Sequence, residues 1–143
     1  FENSESETND GMDISLITID TKADTIEYSG AYRPLIMIRN NELFEYKATK
    51  TSIGFKDVEN KIFEKTTLKY QKSDCFYMYS DGYPDQFGGP KNKKFKSKIF
   101  KEMLIEGNSK SMKNQKEIIS QRFNEWMGDR EQVDDILIMG IKF

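Results

Sequence analysis

Residues 12–19 alternate as a strand does, with Ile14, Leu16 and Thr18 on one face and Ser15, Ile17 and Ile19 on the other. The polar stretch Asp20, Thr21, Lys22, Ala23, Asp24 then predicts a turn, and residues 25–29 predict a second strand, so the two form a hairpin. Gly30, Ala31, Tyr32, Arg33 and Pro34 interrupt the pattern before the apolar run Leu35, Ile36, Met37, Ile38. Asn40 and Asn41 turn the chain into residues 42–46, and the first third reads as an antiparallel meander. Ser52, Ile53, Gly54 and Phe55 fall in a loop, and residues 62–70 form a strand whose buried face the pattern leaves open.

Residues 74–80 are almost wholly apolar or aromatic, as a central strand covered on both faces requires. That strand stops at Ser80, Asp81, Gly82, where side chains are held rigidly yet reach solvent. From residue 93 to 106 the apolar positions Phe95, Ile99, Phe100, Met103 and Leu104 recur at helical spacing, with Gly107 as the stop. A second helix spans residues 111–127, its stripe being Ile118, Ile119, Phe123, Trp126 and Met127, and Gly128 ends it. Residues 135–143 read as a last apolar strand, entered directly from two carboxylates. Strands, then helices, then one returning strand give an α+β class in which antiparallel sheets pack with helices.

Composition narrows the chemistry. The 143 residues hold enough apolar material for one core, and 22 basic against 24 acidic side chains leave a formal charge of −2. No excess of either sign points to nucleic acid or a membrane surface. No apolar run approaches the length of a membrane span, so this segment is expected to make no membrane contact. The single Cys75, inside an apolar run, excludes an internal disulfide framework, fits a reducing cytoplasm and reads as a buried thiol. There is no histidine, which removes imidazole bases, Ser-His-Asp and Cys-His catalysis and His-ligated zinc. Because the chain opens at Phe1 and runs into the acidic residues 2–10, it reads as an excerpt with a disordered polar lead over 1–10 and one domain over 11–143.

What chemistry remains must use carboxylates. Asp81 and Asp85 lie at the exit of one buried strand, and Asp134 and Asp135 at the entrance of another. If the two strands are antiparallel neighbours, Asp81 and Asp134 converge. Carboxylates without His or Cys favour a hard, oxygen-ligated ion such as magnesium or manganese, and phosphoester hydrolysis is the natural reaction of such a centre. Asp-Gly after a strand and Asp-Asp before one are equally ordinary turn chemistry, and spacing alone leaves both readings open. The lysines at 91, 93, 94, 96, 98 and 101 are either a steering patch for a phosphoprotein or the solvated face of a helix. Arg33 and Arg39 read as strand-edge residues, with phosphate contact as the other role. Trp126, Phe123 and Ile119 read as core.

Five strings occur in one order: Gly11-Met12-Asp13-Ile14-Ser15-Leu16; Tyr28-Ser29-Gly30-Ala31, with Pro34 and Arg39 beyond; Ser52-Ile53-Gly54; Tyr79-Ser80-Asp81-Gly82-Tyr83-Pro84-Asp85-Gln86-Phe87-Gly88-Gly89; and Gln132-Val133-Asp134-Asp135-Ile136. Together, from Gly11 onward, they resemble the C-terminal part of the SpoIIE-like branch of type 2C (PPM) protein phosphatases. The resemblance implies a β-sandwich flanked by helices, here truncated at its N-terminal side. It also implies two manganese or magnesium ions in the complete domain, with Asp81 and Asp134 as catalytic metal ligands and Asp85 as an accessory position. Asp135 is the lesser candidate.

The activity so implied is hydrolysis of phosphoserine or phosphothreonine on a bacterial regulatory protein by a metal-bridged hydroxide. An upstream sensor or repeat domain in the same chain would control the site, in a cytoplasmic protein whose missing part can carry a membrane anchor. Gly30-Ala31 stands where much of the superfamily has Gly-Asp, and no Asp-Gly motif of the family's N-terminal half precedes Gly11. The fragment alone is therefore expected to bind metal weakly, to have little activity, and to be open to homodimerisation through uncovered sheet edges. The alternative is a degenerate phosphatase fold that serves as a non-catalytic binding module.

Overall fold

The computed structural model describes residues 11–54 and 62–143. The expected disorder of residues 1–10 and the loop position of Phe55 lie outside the described residues. The elements in chain order are β1 (Ile14–Asp20), β2 (Thr25–Ala31), β3 (Leu35–Arg39), β4 (Glu42–Tyr46), β5 (Lys65–Lys69), β6 (Cys75–Tyr79), α1 (Gly82–Asp85), β7 (Phe87–Gly88), β8 (Lys93–Lys94), α2 (Ser97–Gly107), α3 (Met112–Met127) and β9 (Ile138–Lys142).

The predicted first hairpin forms, with Ile14 opposite Ala31 and Asp20 opposite Thr25. Its turn is tied by Asp20, whose Oδ1 accepts from the backbone N–H groups of Lys22 at 2.8 Å and Ala23 at 3.1 Å. The two-residue turn between β3 and β4 places Asn40 and Asn41 at φ 52° and 63°, the left-handed pair that suits a twisted hairpin and that asparagine tolerates.

The meander expected for the first third is corrected. β2 continues through Gly30 and Ala31, and the chain then leaves its sheet: β1, β2 and β5 form one antiparallel sheet, whereas β4, β3, β6 and β9, in that order, form another. The reason is competition for partners. β5 takes the free edge of β2, and β6 takes that of β3, and neither pairing is encoded in the local pattern of the first third.

The two sheets face each other across Ile26, Tyr28, Leu35, Met37 and Phe76, with Ile17, Leu68 and Phe143 packed around them. On the opposite face of the four-stranded sheet, Ile36, Ile38, Cys75 and Tyr77 meet Tyr83, Phe100, Leu104 and Phe123 from the helical side. The period-2 alternation of β3 and β6 thus feeds two cores, which is why both strands are apolar at almost every position. Cys75 is fully buried, as expected.

α3 starts where the sequence indicates, with Ser111 as N-cap accepting from the Asn114 N–H at 3.2 Å, and ends on Gly128 at φ 59°. α2 starts later than its apolar spacing predicts. Lys93 and Lys94 pair with Gly88 and Phe87, and Lys96 stands at φ 79°, which no helix accommodates. Phe95 is buried even so, edge-on to Tyr83 at 5.0 Å and to Trp126 at 5.4 Å, while Ile99 is exposed. The last strand is also shorter than the run 135–143, because residues 131–137 form a loop before β9 begins at Ile138.

Candidate functional site

β6 and β9 are antiparallel neighbours, with Tyr79 opposite Ile138, so the exit of one strand adjoins the entrance of the other. Ser80 extends this ladder beyond the strand ends. Its N–H donates to the Leu137 carbonyl, its Oγ donates to the Asp135 carbonyl, and the Leu137 N–H donates back to that Oγ, each at 2.9 Å. The turn that follows is closer still, since a Cβ on Gly82 would stand 2.4 Å from the Asp135 carbonyl oxygen. Only a residue without a side chain allows this approach.

A second support comes from Gln86, which is fully buried. Its Nε2 donates to the Glu131 carbonyl at 2.9 Å, and its Oε1 accepts from the Val133 N–H at 3.2 Å. The segment carrying Asp81 and Asp85 is therefore bonded at both ends to the loop carrying Asp134 and Asp135. Gly88 and Gly89 lean on Trp126 in the same way: the Gly89 N–H donates to the Trp126 carbonyl at 2.8 Å, and a Cβ on Gly88 would lie 1.9 Å from that oxygen.

The sequence-derived residues have distinct surroundings. Asp81 precedes α1, makes no capping bond with its side chain, and instead accepts from Arg33 Nη2 at 2.9 Å. Asp85, one turn on, has its backbone N–H bonded to the Asp81 carbonyl, and its carboxylate is paired with Lys94 at 2.9 Å. Asp134 is exposed, and its Oδ1 accepts from the Asp135 N–H at 2.7 Å. The Asp135 carbonyl, rather than its carboxylate, makes the contacts to Ser80 and Gly82. Parts of the lysine run are taken up locally, Lys94 by Asp85 and Lys101 by Glu45 at 2.8 Å.

One carboxylate of this site escaped the sequence reading, and Arg33, read there as a strand-edge or phosphate-contacting residue, is its partner. Asp13, immediately before β1, accepts from Ser52 Oγ at 2.6 Å and from Arg33 Nη2 at 2.8 Å. The same guanidinium nitrogen thus touches Asp13 and Asp81, so their two oxygens lie within about 6 Å of each other. The available signal for Asp13 was a carboxylate directly ahead of a strand, the pattern that singled out Asp134. Arg39 takes no part here. Its Nε and Nη2 reach Asp74, which is 2% exposed, at 2.9 and 2.6 Å.

The donor set suits a hard cation: carboxylate oxygens on neighbouring loops, with a positive guanidinium already seated on two of them. Among the described residues, however, no three Asp, Glu, Cys or His side chains group closely enough to hold a metal ion. Asp81 and Asp134 would supply two ligands and leave the rest of a six-oxygen shell to other donors. The apolar hollow lined by Tyr77, Met112, Ile119, Phe123, Ile138 and Met139, between α3 and β9, holds no acidic side chain and offers no such chemistry. No helix among the described residues is long and apolar enough to cross a membrane.

Among solved structures, the chain is similar to the SiaA-PP2C domain of Pseudomonas aeruginosa, at 26% identity and a TM-score of 0.86, over 93% of this chain and 52% of that one. It is also similar to the phosphatase domain of the cell fate determinant SpoIIE from Bacillus subtilis, presoaked with Mn, at 12% identity and 0.66, over 91% and 56%. RsbX in complex with magnesium aligns at 18% identity and 0.61, over 91% and 55%. The chain thus spans little more than half the length of each. No curated protein matches it. Its α+β architecture of antiparallel sheets and helices is that of PP2C phosphatase domains. Residues 3–143 match the Stage II sporulation protein E (SpoIIE) family, and to that family this chain belongs.

Proposed function

We propose that this chain is the C-terminal part of a metal-dependent protein serine/threonine phosphatase, with Asp81 and Asp134 as ligands of manganese or magnesium and Asp85 as an accessory position. The observation that supports it most is the contact of Gly82 with the Asp135 carbonyl, which brings the two aspartate-bearing segments together at the ends of paired strands. The two solved relatives whose descriptions carry Mn and magnesium favour the choice of ion. When bound, such ions activate water and neutralise charge developing on a phosphoryl group.

The chain's own residues have simpler tasks. Asp81 and Asp134 fix the position of positive charge. Ser80, Gly82 and Gln86 fix the two aspartates relative to each other. Asp85, half-buried and paired with Lys94, stands at the accessory position. The substrate class is phosphoserine or phosphothreonine on a bacterial regulatory protein, and an upstream sensor domain controls the parent. Two carboxylates hold a divalent ion poorly, so the 143-residue chain alone is weakly active or inactive.

A non-catalytic binding module is the second reading, favoured by the lack of a three-ligand cluster among the described residues. The test is hydrolysis of a phosphothreonine peptide by the full-length parent with manganese, beside Asp81→Asn and Asp134→Asn. Each substitution is expected to lower kcat/KM by at least about 100-fold. An inactive parent, or substituted parents as active as the native one, would leave the binding module.

A further inference from the structure

Arg33 stands in the loop between β2 and β3 and is fixed at both ends. Its carbonyl accepts from Tyr28 Oη at 2.8 Å, and a Cβ on Gly30 would lie 2.6 Å from that carbonyl oxygen, so the glycine is what lets the turn close. Its Nη2 rests on Asp13 and Asp81 at 2.8 and 2.9 Å. The two pairs are not equivalent. Asp13 is 28% exposed and is also held by Ser52, whereas Asp81 is 47% exposed and, among the described residues, its carboxylate is bonded by the Arg33 side chain. An ion pair this open to water exchanges one cation for another at little cost.

We propose that Arg33 is a resident counter-ion that sets the site's affinity for divalent cations: it competes with the ion for Asp81 and stays tethered to Asp13 when displaced. The inference rests on the reading of Asp81 as a metal ligand. Asp13, Asp81 and Arg33 together carry one net negative charge, and the two aspartates without Arg33 carry two. A guanidinium about 5 Å from a divalent ion, in a water-like dielectric and partly screened by salt, opposes binding by roughly ten-fold.

The experiment is Mn2+ binding to the purified chain, followed by the electron paramagnetic resonance signal of the free ion, for the native protein, Arg33→Gln, Arg33→Lys and Asp81→Asn. Arg33→Gln is expected to bind about ten-fold more tightly than native. Arg33→Lys, which keeps the charge, should stay within about two-fold of native. Asp81→Asn should lose most of the affinity. A variant-free measurement stands beside these: Mg2+ titration of the native chain should shift the Arg33 guanidinium resonance in arginine-selective nitrogen-15 spectra. Folded Arg33→Gln that binds no more tightly than native, or an Arg33 resonance unmoved at saturating Mg2+, overturns the counter-ion role while leaving Asp81 as a ligand. Native-like binding by Asp81→Asn removes the ligand reading, and the counter-ion role with it.

Discussion

Replacing Gly82 by alanine would place a Cβ 2.4 Å from the Asp135 carbonyl oxygen and 3.0 Å from its carbon. Ordinary van der Waals contact begins near 3.4 Å, so one segment must retreat by about 1 Å. The obstacle is backbone, held in place by the Ser80 Oγ bond to the same oxygen, and it cannot rotate away as a side-chain tip would. Overpacking of this kind costs about 1–3 kcal/mol. Loss of the Ser80 bond adds about 1 kcal/mol. The sum, about 3 kcal/mol, lowers Tm by roughly 10 °C for a domain of this size.

On the proposed reading of Asp81 and Asp134 as metal ligands, a retreat of about 1 Å between their segments exceeds the ~0.2 Å tolerance of a coordination shell. Metal-dependent activity of the parent should therefore fall further than stability alone accounts for. Gly107→Ala is the control. Its Cβ meets nothing closer than Gln115 Cγ at 3.7 Å, and the change should be neutral or stabilising by up to about 1 kcal/mol. Urea denaturation of the chain and phosphatase assay of the parent measure the two effects. If Gly82→Ala unfolds within about 0.5 kcal/mol of native, the proposed contact between the two aspartate segments is wrong.

Two further outcomes follow from the packing. Asp74→Asn removes the carboxylate that Arg39 grips with two nitrogens and that also accepts from the Gln71 N–H at 2.7 Å. Because Arg39 is itself a quarter exposed, the loss should be about 2 kcal/mol rather than the larger cost of a fully buried pair, read from the denaturation midpoint. Burial raises the phenol pKa of Tyr28 and Tyr79 to about 12, and those of Tyr77 and Tyr83 higher still. A raised folded value means that the neutral phenol is favoured in the fold, so this stability is complete below pH 10 and is lost as pH rises from there through 12. Phenolate absorbance and circular dichroism recorded together should show these tyrosines ionising only as the chain unfolds. A folded protein with every tyrosine titrating near 10 would contradict the burial.

That the segments carrying Asp81 and Asp134 would adjoin was legible because each sits at the end of an apolar run, and runs long enough to be central strands tend to pair. Ser111 and Gly128 likewise marked the limits of α3, since caps are local chemistry. Asp85 was legible as a carboxylate near the site, but its pairing with Lys94 depends on the small ladder of β7 and β8, which four residues of sequence do not announce. The same ladder delays the start of α2 beyond its helical spacing.

What the sequence determined by itself was periodicity: most of the strands, the two long helices and the turns between them, if not every boundary, and that any chemistry here runs on carboxylates. What only the tertiary structure decided was partnership. β2 and β3, neighbours in sequence, belong to opposite sheets, and that separation lets the loop between them carry Arg33 to Asp13 and Asp81. Hydrophobic alternation fixes which face of a strand is buried, but the backbone hydrogen bonds that select its neighbours are the same for every sequence, so the neighbours are settled only when the whole core packs.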